Sequence, residues 1–310
     1  MKKSVLILCA LFFSLCSQAL YAAEQPLTSS SSFLAAPQII GGYEAPVAYP
    51  WMTAILHASE SNLYQAQYCG GALIAPNWVL TAGHCVDSNI ATSVNKASDL
   101  EVAVGVHDLN NWSGTRIQVK QIVKHPFYKV YYDANNNLVN IANDIALLEL
   151  NSPSEQQPIP IFSGASVQGI DPKLLNYLTT LIGWGVYVLP DLYPSILQQV
   201  NLPVVADAYC NSAYGVTLSG SQLCAGYAAA KDACSGDSGG PMMLVIDGQW
   251  VHVGLVSYGS DCKLSNGYYG VYTRSSAFVD FIKQYVPAAK FTPVTAPKSL
   301  PWLMLLLHNP

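Results

Sequence analysis

From Ile39 to about Tyr272 the chain is cut into short apolar runs, among them Ala72–Ile74, Trp78–Leu80, Leu100–Val106, Ile145–Leu150, Tyr177–Ile182 and Val251–Val256, separated by Gly, Pro, Asn, Asp and Ser. Such runs are too short for the apolar stripe of a helix, and the turn residues between them reverse the chain. The pattern predicts an all-β sandwich or barrel assembly. The 22 glycines and 19 prolines suit that class. One segment carries a different period. Phe278, Phe281, Ile282, Tyr285 and Val286 fall at i, i+3, i+4, i+7 and i+8, which predicts an amphipathic terminal helix ending before Pro287 and packed on the β-structure.

Composition narrows the function classes. Hydrophobic residues make up 51% and charged residues 11% of 310 positions, against a usual charged share of about 25%. That excludes a disordered chain or a coiled coil and leaves room for one large domain or two ordinary ones. Net charge is −5, and no Lys/Arg cluster is dense enough to track a phosphate backbone, so nucleic acid is not an expected partner.

The two ends differ from the middle. Lys2 and Lys3, the apolar run Val5 to Leu15 and the small residues Ala22 and Ala23 form a secretory signal over residues 1–23. Its apolar run is shorter than the ~20 residues that span a bilayer. Export is expected, through a periplasm if the source is bacterial, with no transmembrane span in the mature domain. Residues 287–310 form a tail of unassigned role, ending in a short apolar run from Trp302 to Leu307. Six cysteines remain after the signal: Cys69, Cys85, Cys210, Cys224, Cys234 and Cys262. An even number in an exported chain implies disulfides, whose pairing spacing alone does not fix, while no Cys-x-x-Cys or His-x-x-x-His spacing suggests a metal site. No metal and no cofactor are expected.

Three segments carry chemistry: Thr81-Ala82-Gly83-His84-Cys85, Asn143-Asp144-Ile145-Ala146-Leu147-Leu148, and Gly236-Asp237-Ser238-Gly239-Gly240-Pro241. A serine hydroxyl is a poor nucleophile until an imidazole takes its proton. That imidazole in turn needs a buried carboxylate to fix its tautomer and stabilise its charged form. His84, Asp144 and Ser238 can fill these roles, and their chain order excludes the Ser, Asp, His order of α/β-hydrolases.

On these motifs the chain resembles the trypsin and chymotrypsin family of serine peptidases from Ile39 to about Val286. The resemblance implies two packed antiparallel β-barrels, about 39–152 and 153–273, followed by a terminal helix at about 275–286. His84 and Asp144 would come from the first barrel and Ser238 from the second. It implies the pairings Cys69–Cys85, Cys210–Cys224 and Cys234–Cys262, each worth about 3 kcal/mol in the chain-entropy model. The backbone N–H groups of Gly236 and Ser238 would form the oxyanion hole. Ser257-Tyr258-Gly259 resembles the family's Ser-Trp-Gly strand, which pairs with substrate backbone, with tyrosine in place of tryptophan.

The same resemblance implies specificity. Asp232, six residues before Ser238, matches the floor of the primary pocket in trypsin-like members, where a buried carboxylate demands a cation. Gly259 and Gly270 match its two open walls. Ala233 replaces a serine that would help solvate a lysine ammonium, which favours arginine. The expected partners are proteins or peptides with Arg, or less readily Lys, before the scissile bond. Two long loops, Val86 to Leu100 and Tyr128 to Asn143, would rim the cleft and restrict large substrates; surface decoration is the competing reading.

Ile39-Ile40-Gly41-Gly42 matches the family's mature N-terminus, leaving 24–38 as a propeptide. The freed amine of Ile39 would pair with Asp237, since an unpaired buried charge is expensive. Gln38 departs from the Arg or Lys that most zymogens carry there, so a separate activating protease is expected. A monomer is the family's default. The competing function is a catalytically silent protease fold used for binding or adhesion, which retention of all three triad residues and Gly236 disfavours.

Overall fold

A computed structural model describes residues 42–91, 93–164, 174–186, 193–227, 236–259 and 269–292. The predicted signal (1–23) and propeptide (24–38), Ile39, Asp232, Ala233, Cys234, Cys262 and the end of the tail lie outside these residues.

After a short β1 (Tyr43–Glu44) come β2 (Met52–His57), β3 (Gln67–Ala75), β4 (Trp78–Thr81), β5 (Leu100–Val104) and β6 (Ile117–Lys124). A hairpin of β7 (Lys129–Tyr132) and β8 (Leu138–Ala142) precedes β9 (Ala146–Leu150). The first barrel closes in the order β2-β3-β4-β9-β6-β5. The second half runs through β10 (Ile161–Phe162), β11 (Leu178–Gly183), β12 (Gln198–Val205), β13 (Gln222–Ala225), β14 (Pro241–Ile246), β15 (Gln249–Tyr258), β16 (Gly270–Arg274) and β17 (Phe291–Thr292). Here β11-β12-β13-β16-β15-β14 follow one another by antiparallel pairing, and β14 returns to β11 to close a second six-stranded barrel. Closure removes the exposed edges that would otherwise pair with other chains.

Each apolar run seen in the sequence lies in a strand, matching its ends within a residue or two except for Ala72–Ile74, which is the last part of the longer β3. The burial explains why. Strand β9 presents Ala146, Leu147, Leu148 and Leu150 to the interior, and β15 is buried from Val251 to Tyr258. Both are inner strands lying between two neighbours, so their runs are continuous rather than alternating.

A 3₁₀ turn at Ser275–Phe278 leads into the terminal helix Val279–Tyr285. Phe278, Phe281, Ile282 and Val286 are buried, as the stripe predicts, but Tyr285 is 37% exposed and leans on Phe281 with ring centroids 5.5 Å apart. Beyond it the predicted tail does not leave the surface at once: Phe291 and Thr292 form β17, parallel to β10 in the register Ile161↔Phe291. No helix among the described residues is long and apolar enough to cross a membrane.

The segment read as the loop Tyr128 to Asn143 contains the β7–β8 hairpin. Its Asn-rich tip is held by Asp133, whose Oδ1 accepts from the backbone N–H groups of Asn135 and Asn137, both at 2.8 Å, while Asn136 takes the left-handed region at φ 63°. Asp and Asn side chains bonding their own backbone look like loop chemistry in sequence and serve here as a hairpin turn.

Candidate active site

His84 opens a 3₁₀ turn, His84–Val86, directly after β4. The next residue, Cys85, is bonded to Cys69 of β3, with S–S 2.03 Å and Cα–Cα 6.2 Å, so the turn is fastened to the barrel wall. Asp144 lies between β8 and β9. Asn143 before it takes φ 51°, a conformation asparagine tolerates better than most side chains, and its Nδ2 donates to the Phe127 carbonyl at 2.8 Å. This bend turns the Asp144 side chain inward, where it is 1% exposed.

The two residues meet through both edges of the carboxylate. His84 N–H donates to Asp144 Oδ1 and His84 Nδ1 lies against Asp144 Oδ2, both at 2.8 Å. The second barrel completes the cage: Ser257 Oγ donates to Oδ2 at 2.5 Å, and Thr273 Oγ1 donates to the Asp144 carbonyl at 2.8 Å. Burial by itself pushes the Asp144 carboxyl up, but the His84 charge and the hydrogen bonds from His84 and Ser257 outweigh it and hold the group below the usual carboxylate range. Burial likewise pushes the His84 imidazole down. Attraction to Asp144, its hydrogen bond and the charge of Asp87 reverse that and leave the imidazole above its ordinary value.

Ser238 enters from the second barrel, on the turn between Gly236 and Gly240. That turn is seated on β3: Gly70 N–H donates to the Ser238 carbonyl at 2.7 Å, and Gly239 N–H donates to the Val256 carbonyl at 2.9 Å. Cys85 Sγ lies 3.8 Å from His84 Nε2 and 3.6 Å from the Ser238 carbonyl, so the imidazole, the sulfur bridge and the serine backbone are neighbours. Gly236 has φ 99°, which an L side chain rarely adopts, and a Cβ there would lie 3.1 Å from Gly185 Cα. The requirement for glycine at this position is therefore conformational and steric.

Asp237 is 2% exposed and accepts from Gly185 N–H at 2.8 Å. A methyl group on either Gly183 or Gly185 would collide with its carboxylate, so both glycines are needed to admit it. Its expected partner Ile39 lies outside the described residues, as do Asp232 and Ala233. Ser257 and Tyr258 end β15, Gly259 follows, and Gly270 opens the adjacent β16, where Tyr258 sits opposite Val271. These four residues are thus brought to one end of two neighbouring strands. The second disulfide, Cys210–Cys224, joins the helix Asp207–Tyr214 to β13 with S–S 2.06 Å. Cys234 and Cys262 lie outside the described residues. Cys69, His84 and Cys85 cluster within 4.8 Å, but both sulfurs belong to the disulfide and offer no thiolate to a metal.

Several residues that sequence motifs do not mark complete the site. Asp87 is 7% exposed, accepts from Asn89 Nδ2 at 3.1 Å, faces Lys124 Nζ at 3.6 Å and has the Tyr128 hydroxyl beside it. Lys124 also lies over the Tyr128 ring, 4.7 Å from its centroid. Gln67 Nε2 donates to the Gly236 carbonyl at 3.0 Å, tying the serine turn to β3. Thr273 carries no motif at all. Only the crossing of one barrel by the other brings it to Asp144.

Known proteins agree with this reading. The family model Trypsin matches residues 39–282. The chain is 36% identical over 272 residues to the trypsin of Phaedon cochleariae, covering 85% of this chain and 93% of that protein. It is 33% identical over 265 residues to the proclotting enzyme of Tachypleus tridentatus, covering 80% of this chain and 66% of that protein. It is 33% identical over 260 residues to the clotting factor G beta subunit of the same animal, covering 79% and 78%. With a buried imidazole–carboxylate pair on one barrel, a serine turn on the other and these relatives, the chain belongs to the trypsin family of serine endopeptidases.

Proposed function

We propose that the protein is an exported trypsin-like endopeptidase, made as a zymogen, that cleaves after Arg in preference to Lys. The observation that carries this reading is the His84–Asp144 pair, buried where the barrels meet and set beside the Ser238 turn. In the reaction His84 removes the Ser238 proton as the hydroxyl attacks the scissile carbonyl. Asp144 holds the imidazole in the tautomer that leaves Nε2 free to accept and stabilises the imidazolium that forms. The oxyanion is received by the N–H groups of Gly236 and Ser238. His84 then passes its proton to the departing amine, and water resolves the acyl-enzyme by the same route in reverse.

The match of Asp232 to the family's pocket floor, and of Gly259 and Gly270 to its open walls, supports a cationic side chain before the scissile bond. Ala233 supports arginine, whose guanidinium binds a carboxylate bidentately without a helping hydroxyl. The match of Ile39-Ile40-Gly41-Gly42 to the family's mature N-terminus, together with the buried Asp237 carboxylate, supports activation by release of residues 24–38. Gln38 supports a separate activating protease, because the activation bond follows no basic residue. The basic and apolar N-terminal segment supports secretion.

The test uses protein trimmed to begin at Ile39 and matched peptide amides ending in Arg, Lys or Phe, with Ser238→Ala as control. Cleavage in the order Arg, then Lys, with none after Phe and none by the control, is expected. Folded protein that cleaves none of them would replace the enzyme reading with a binding module. Strong cleavage after Phe would remove Asp232 from the pocket while leaving the triad in place.

A further inference from the structure

The β7–β8 hairpin is not a free decoration on the first barrel. A two-stranded hairpin alone is marginal in water, and of the residues in these two strands only Ile141 is buried. Ile141 packs in a cluster whose other buried members, Tyr258, Val271, Leu218 and the Cys210–Cys224 bridge, belong to the second barrel, with Tyr128 and Val130 of its own side packed against it. Beside it Asn140 makes the polar half of the contact. Its Oδ1 accepts from Tyr258 OH at 3.0 Å and from Gln222 Nε2 at 2.9 Å, and the same Gln222 nitrogen donates to the Ile141 carbonyl at 3.2 Å. Gln222 is itself set by Ser219, whose N–H donates to its Oε1 at 3.0 Å.

These bonds bear on the tyrosine that stands where the family's strand has tryptophan. An indole would offer a donor at a different place and no hydroxyl. A buried tyrosine hydroxyl needs a partner, and here it donates to Asn140 with the Gln222 side chain beside it. An amide oxygen has two acceptor sites, so Asn140 satisfies both Tyr258 and Gln222. The segment from Asn140 to Asp144 is then tied to the second barrel at both ends: Tyr258 and Gln222 hold Asn140, while Ser257 and Thr273 hold Asp144.

We propose that Asn140 is a positioning residue that locks the inserted hairpin onto the second barrel through Tyr258 and Gln222. The lock fixes the hairpin beside Tyr258 and beside the segment that carries Asp144. This rests on the protease reading and on Tyr258 lying along the substrate strand. It makes the hairpin a determinant of how extended peptides are bound, and it predicts that losing the lock harms long substrates more than short ones.

The experiment compares Asn140→Ala, Asn140→Asp, Tyr258→Phe and the double variant Asn140→Ala/Tyr258→Phe with the parent protein, all trimmed to Ile39. Each is assayed on a single-residue arginine amide and on a tetrapeptide amide ending in arginine. Hydrogen exchange of amides 129–142 is followed in parallel. Asn140→Ala is expected to lose about tenfold more kcat/KM on the tetrapeptide than on the short amide, the size of one buried hydrogen bond, with faster exchange confined to the hairpin. Asn140→Asp keeps an acceptor oxygen and is expected to recover most of the loss. The double variant is expected to lose no more than the worse single variant, as groups in one contact do. Equal losses on both substrates, or no loss, in protein whose barrel exchange is unchanged would overturn the proposal. If the parent cleaves neither substrate the protease reading fails instead, and unchanged hairpin exchange in Asn140→Ala would then overturn the lock as well.

Discussion

Among the described residues two histidines are buried, and they are treated in opposite ways. His84, on the 3₁₀ turn that follows β4, faces the carboxylates of Asp144 and Asp87, and its imidazole is held above its ordinary pKa of 6.5. His252, in the middle of β15, is fully buried, with Nδ1 2.9 Å from Ser275 Oγ and no hydrogen-bond partner for Nε2 among the described residues. Burial pushes its pKa down to about 3. Depth is common to both sites, so depth does not make a catalytic base. The difference is the carboxylates: the barrel junction supplies two, and among the described residues none lies beside His252. Burying Asp144 is costly in itself, and the fold meets that cost with donors from three segments: the His84 turn on the first barrel, and on the second Ser257 of β15 at the carboxylate and Thr273 of β16 at the backbone carbonyl.

The largest test of this contrast removes the charge from one site. Asp144→Asn keeps the shape of the side chain but presents an amide that favours the wrong imidazole tautomer. It is expected to lower kcat by about 10⁴-fold while the thermal midpoint shows a folded protein. A loss under tenfold would mean that burial and geometry, not the carboxylate, prepare His84.

The second site is tested through stability. Between pH 6.5 and about 3 the unfolded chain binds a proton at His252 that the folded chain refuses. Stability is therefore complete above 6.5 and drains as pH falls through this window. His252→Leu is expected to flatten the dependence of the thermal midpoint on pH between 6.5 and 4. An unchanged slope would mean that His252 finds a way to be protonated in the fold.

The smallest effect sharpens the comparison. Asp87 adds to the field at His84 without touching its ring nitrogens, so Asp87→Asn is expected to move the acid limb of kcat/KM toward lower pH by less than about one unit. The sign follows from His84 needing to be neutral to act: with less negative charge nearby it loses its proton at lower pH. A shift in the other direction, or a loss of activity across the whole profile, would make Asp87 a structural residue only.

Much of this was legible in the sequence, and the parts that were not share a cause. Strand runs such as Ile145–Leu150 and Val251–Val256 are apolar because inner barrel strands are buried on both faces, and the stripe Phe278, Phe281, Ile282 marks the helix because one face of it meets the core. His84, Asp144 and Ser238 stand in motifs short enough to read. The hairpin did not show itself, because Lys129 to Asn140 is rich in polar and turn residues and its two strands bury one side chain. Asp87, in the polar stretch Asp87-Ser88-Asn89, looks like a solvated turn; its burial comes from Tyr128 and Lys124, some forty positions away. Asn140, Gln222 and Tyr258 are ordinary residues whose meaning lies in a contact across the two barrels. No local pattern encodes a pairing between sites more than eighty residues apart.

The most direct test is to titrate both histidines in one sample. Ser238→Ala protein trimmed to Ile39 and labelled at histidine carbons and nitrogens would be followed by NMR from alkaline to acid pH, with His84 and His252 assigned by substitution. His84 is predicted to titrate with a midpoint above 6.5, and His252 to stay neutral until the protein approaches pH 3 or unfolds. A His84 midpoint at or below 6.5, or His252 gaining its proton first in the folded state, would contradict the claim that the carboxylates at the barrel junction turn a buried imidazole into the base of this protease.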